Sequence, residues 1–83
     1  MDVAQVVQWL SMGLGIVAAV MVASKLSSAI TGWGFVVFAV SSVGWVAFGA
    51  MKGEAPLTIQ NAVLLIVNGV GVWRYLIVKE KDA

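Results

Sequence analysis

Residues 42–61, SVGWVAFGAMKGEAPLTIQN, decide the fold: an apolar stretch runs into a short polar turn, and a second apolar stretch starts at once. Ser42 and Trp45 lie three apart and share one face of a helix, while Asn61 enters the next helix about one turn after Pro56. A helical hairpin therefore brings a hydroxyl, an indole and an amide toward one edge. Outside the turn KGEAP, the stretch has the composition of material dissolved in lipid.

That composition holds for the whole chain. Of its 83 residues 61% are hydrophobic and 11% charged, and the apolar residues run in blocks of about twenty, the length that crosses a hydrocarbon layer about 30 Å thick. An integral membrane protein of the all-α class is expected, a three-helix transmembrane bundle forming a single domain over 1–83. A soluble chain this short has too much surface for its volume to bury so many apolar side chains. Cysteine is absent, which excludes disulfides and thiolate metal sites; histidine is absent too, which removes the commonest general base and metal ligand. With no acidic pair at catalytic spacing inside a span, neither an enzyme nor a cofactor is expected. The net charge of +1 gives no reason to expect a nucleic-acid partner.

Working outward toward the N-terminus, the second span covers 31–51. Phe38, Ser41, Ser42, Trp45 and Gly49 follow its helical repeat as one stripe. A hydroxyl beside an indole suits a sugar or similar solute, because the ring packs on C–H groups while the hydroxyl exchanges hydrogen bonds. Ser41 by itself is expected to bond only to its own helix backbone, four residues back. The connection SKLSSAITG precedes this span, with Thr31 or Ser28 available as the helix cap. The first span covers 4–23 and reads as a retained helix, since Asp2 stands where a secretory signal carries a basic residue. Gly15, Ala19 and Ala23 recur every four residues along it and form a smooth strip that another helix can approach closely. Gln5 and Gln8 fit the headgroup level beside Trp9.

Toward the C-terminus, Pro56 stops the second span and presets the first turn of the third, which covers 57–78. Asn61, Asn68 and Tyr75 repeat at intervals of seven and face the same way. An amide in hydrocarbon lacks partners, so both asparagines should face protein or water, Asn68 through an interhelical hydrogen bond. Trp73 and Tyr75 are expected in the aromatic belt, with Arg74 snorkelling to the surface. Lys25, Arg74, Lys79 and Lys81 fall on one side of the membrane and only Lys52 on the other, which places the N-terminus outside and the C-terminus in the cytoplasm.

The run GWVAFGAMKGEAPLTIQNAVLLIVNG, residues 44–69, resembles the second and third helices of the SemiSWEET sugar transporters, bacterial half-size members of the SWEET and PQ-loop group. Trp45, the Phe48–Gly49 pair, Pro56 and Asn61 match the family's order and approximate spacing, and Ser42 matches a small residue one turn before the Trp. The resemblance implies a three-helix protomer in the bacterial inner membrane that pairs with a second copy and holds sugar on the twofold axis. It implies a substrate site built from Trp45 and Asn61 with Ser42 beside them. The family's first helix carries a Pro-Gln pair near its cytoplasmic end, whereas the corresponding region here reads AAVMVASKLSS.

Two functions follow. The first is a facilitative transporter of small neutral solutes, sugars above all, acting as a homodimer with its site between protomers; no titratable group lies mid-membrane to carry coupled protons. The second is a non-transporting accessory subunit of a larger membrane complex, held through the first-helix strip Gly15, Ala19 and Ala23. The missing proline and the small size support the second.

Overall fold

The computed structural model describes residues 2–78. Three helices follow in order, α1 (Val3–Ser24), α2 (Ser28–Lys52) and α3 (Ala55–Val72), and α3 continues into a π-helical turn, Trp73–Ile77. No strand occurs among the described residues. All three helices are long and apolar enough to cross a membrane. The 22 residues of α1 extend about 33 Å at about 1.5 Å per residue, enough to cross the hydrocarbon layer.

Local chemistry fixes where each helix begins and ends. Asp2 caps α1 by accepting from Gln5 N at 2.8 Å, while Gln5 Oε1 accepts from Asp2 N at 3.2 Å, a closed capping box. Lys25 ends α1 in the left-handed region, with φ 52°. The cap of α2 is neither Thr31 nor Ser28, as the sequence suggested, but Ser27, whose Oγ accepts from Ile30 N at 3.1 Å. The α1–α2 connection is thereby shorter than SKLSSAITG implied, and Thr31 lies a turn inside α2, buried. At the second turn Gly53 takes φ 68°, a C-cap conformation that glycine adopts without steric cost. Glu54 N then donates to Gly49 O at 2.8 Å, and Pro56 sits in the first turn of α3, where its missing N–H costs nothing.

The molecule measures 41 × 21 × 15 Å. The helices form a curved layer rather than a closed triangle, because only α2 has a helix on either side of it. Both α1 and α3 pack on α2 and not on each other. Small residues let them approach. On the α1 side, Gly15 lies against Ser41, Gly44 against Ser11, and Gly34 against Met21 and Val22, while Ser41 Oγ donates to Ser11 O at 2.7 Å. On the α3 side, Gly49 receives Thr58, Gly71 receives the Phe35 ring and Gly32 receives Tyr75 and Leu76.

The burial pattern is that of a lipid-dissolved protein. The buried polar side chains are Ser11, Thr31, Ser41, Ser42, Asn61 and Asn68, whereas Leu10, Ile16, Val20, Ile59, Ile66 and many other large apolar residues point outward. Lipid offers apolar side chains nothing to escape from and offers polar groups no hydrogen bonds, so the polar groups turn inward. The protein is an integral membrane protein whose solvent is the bilayer.

Candidate functional site

The curvature of the layer makes a groove with α2 as its floor and α1 and α3 as its walls. Its volume is 470 Å³, within the roughly 300–1,000 Å³ of small-molecule sites. From α1 it receives Met12, Gly15, Ile16 and Ala19, from α2 Phe38, Ser41, Ser42 and Trp45, and from α3 Asn61, Leu64 and Asn68. No charged side chain lines it.

The structure brings the three residues singled out in the sequence, Ser42, Trp45 and Asn61, into this one groove. Ser42 is buried and accepts a hydrogen bond from Asn68 Nδ2 at 3.2 Å. That contact fixes the direction of the bond: the amide donates, so the Ser42 O–H remains available as a donor. The half-buried Trp45 ring meets Phe48 edge to face, with centroids 5.9 Å apart and planes at 89°. The T-shaped arrangement is a favourable one for an aromatic pair. Asn61 Nδ2 donates back to Leu57 O at 3.0 Å, and its Oδ1 accepts no hydrogen bond among the described residues. The groove thus combines an aromatic face, a hydroxyl donor and an amide acceptor with apolar walls.

Three features escaped the sequence. Ser41, expected to bond to its own helix, instead donates to Ser11 O on α1, so its proton is committed to packing. Asn68 makes the expected interhelical bond but also lines the groove, where it orients Ser42. Its spacing of seven from Asn61 was the available signal. Tyr75 stacks on Phe35 of α2, with centroids 5.7 Å apart and planes at 16°, a contact that the spacing within its own helix did not reveal. The first-helix strip is divided, Gly15 and Ala19 lining the groove while Ala23 is exposed at the end of α1.

No curated protein and no solved structure matches the chain. A family model described as "Sugar efflux transporter for intercellular exchange" matches residues 3–83. The match takes in α1 as well as the hairpin, although α1 carries no proline. It is a family of transporters, not of enzymes. With all three helices, both turns and every residue of the groove inside the matched region, the chain belongs to the sugar efflux transporter family of the SWEET and SemiSWEET proteins.

Proposed function

We propose that the protein carries small neutral solutes, sugars foremost, down their gradient as a homodimer, with Trp45 and Asn61 of both copies contacting the solute and Ser42 beside them. The observation that carries this reading is the uncharged groove in which an indole face, a hydroxyl donor and an unused amide oxygen converge. A sugar presents C–H groups on its ring faces and hydroxyls around its edge, and these residue types meet both. One copy has only three helices and leaves the groove open, so a second copy closes the solute path. The groove holds no titratable side chain, and downhill movement needs none. The proposed setting is a bacterial inner membrane, N-terminus outside and C-terminus cytoplasmic, supported by the basic residues gathered at one end. The accessory-subunit reading draws no support from the family match.

Uptake of mono- and disaccharides into proteoliposomes tests the proposal. Asn61→Leu removes hydrogen bonding while keeping the number and branching of heavy atoms, and Trp45→Ala removes the stacking face. Because a twofold axis duplicates each loss, either change should lower uptake roughly tenfold or more while protein yield stays similar. Undiminished uptake in Asn61→Leu, or no uptake of any sugar by the unmodified protein, would reject this assignment.

A further inference from the structure

The groove repeats itself along its length. On α2 the two rings that line it, Trp45 and Phe38, are seven residues apart, and on α3 its two amides, Asn61 and Asn68, are also seven apart. Seven residues rise about 10.5 Å at about 1.5 Å per residue and return to nearly the same face, so each type of group recurs at that step. Each ring has a phenylalanine of its own helix beside it: Phe48 meets Trp45 with centroids 5.9 Å apart, and Phe35 meets Phe38 at 6.5 Å. Asn61 and Asn68 are each only 7% exposed, and each commits only its Nδ2, the first to Leu57 O and the second to Ser42 Oγ. Their Oδ1 atoms accept no hydrogen bond among the described residues. The contacts between α2 and α3 fix the order along the groove. Gly49 meets Thr58, Ser42 meets Asn68 and Phe35 meets Gly71, so Asn61 and Trp45 come at one end, Ser42 with Asn68 next, and Phe38 last.

We propose that Phe38 and Asn68 form a second sugar subsite, and that the groove therefore prefers a disaccharide lying along the helices to a single sugar. The inference rests on the solute-carrier reading and adds a length selectivity to it. One ring of the disaccharide sits at Trp45 and Asn61. The other packs its C–H face on Phe38 and donates a hydroxyl hydrogen bond to Asn68 Oδ1. The step of about 10.5 Å exceeds one pyranose ring with its hydroxyls and suits two joined rings. A single sugar at Trp45 leaves the Asn68 oxygen unused between apolar walls, where an unpaired polar atom is costly. One cavity of 470 Å³ takes in both subsites, so a single solute can reach both. No charged side chain lines it, which disfavours a dipeptide of similar length, whose ammonium and carboxylate would enter unpaired.

Titration calorimetry of the purified full chain in mild detergent, with glucose and with cellobiose, two glucose rings joined end to end, tests the subsite. The unmodified protein should bind cellobiose about tenfold more tightly than glucose, the gain expected from one further hydrogen bond and one further ring contact. Phe38→Leu keeps an apolar side chain and removes the ring face, and should lower the cellobiose-to-glucose affinity ratio about threefold or more. Asn68→Leu removes the acceptor and should lower the same ratio to a similar degree. The ratio separates a lost subsite from general damage, which weakens both sugars together. Equal affinity for the two sugars in the unmodified protein, or an unchanged ratio in either variant, overturns the second subsite and leaves the first standing. Binding of neither sugar rejects the carrier reading and this inference with it. If Asn68→Leu does not fold, the unmodified protein and Phe38→Leu decide.

Discussion

Gly44 and Gly69 are both helical glycines, yet they stand in opposite situations. A Cβ on Gly44 would run into the Ser11 side chain where α1 crosses α2, whereas a Cβ on Gly69 would meet nothing within 4 Å. Gly44→Ala should therefore cost about 1–3 kcal/mol through overpacking, and Gly69→Ala should gain up to about 1 kcal/mol from helix propensity. Reversible unfolding in mixed micelles, followed by circular dichroism, measures both; equal effects would show that the crossing is looser than the contacts imply. The same crossing explains what could be read at this scale and what could not. That Ser42 and Trp45 share a face follows from the helical period alone. That Ser41 donates to Ser11 O requires knowing where α1 crosses, and Ser11 is an unremarked position in its own helix.

At the scale of the elements, the hairpin was legible because its turn carries strong local chemistry. Gly53 takes the left-handed C-cap and Pro56 opens α3. The first connection offered Ser24, Ser27, Ser28 and Thr31 within eight positions, and propensity does not choose among them. The structure chooses Ser27 and leaves Thr31 Oγ1 buried without a hydrogen-bond partner. Opposite outcomes follow for two neighbouring hydroxyls. Ser27→Ala should destabilise by about 1 kcal/mol through the lost cap. Thr31→Val keeps the shape and removes the unpaired hydroxyl, so it should stabilise by about 1 kcal/mol. A stability loss in Thr31→Val comparable to that in Ser27→Ala would return the cap to Thr31.

For the whole molecule, the decisive property is that α1 and α3 both rest on α2 and leave one side of the groove uncovered. Residue periodicity gives each helix its inner face but not the order in which three helices pack, so the shape of this opening was not readable from the chain. Closing it is the task of the proposed second copy, and a twofold pairing over the groove sets Ile16 on the α1 wall and Leu64 on the α3 wall near the partner. The chain has no cysteine, so introduced thiols report cleanly. A twofold axis along the groove sets the α1 wall of one copy against the α3 wall of the other, so Ile16→Cys and Leu64→Cys combined in one chain should give disulfide-linked dimers when membranes are oxidised. Ile16→Cys combined with Val63→Cys provides the control: Val63 lies at the depth of Leu64, is exposed and does not line the groove, so its thiol faces lipid and should stay unlinked. Disulfides bridge only Cα atoms within about 7 Å, so the contrast between adjacent positions reports which face pairs. Cross-linking through Val63 with none between Ile16 and Leu64 would put the dimer interface on the other face and leave the groove open to lipid, removing the enclosed path that transport through it requires.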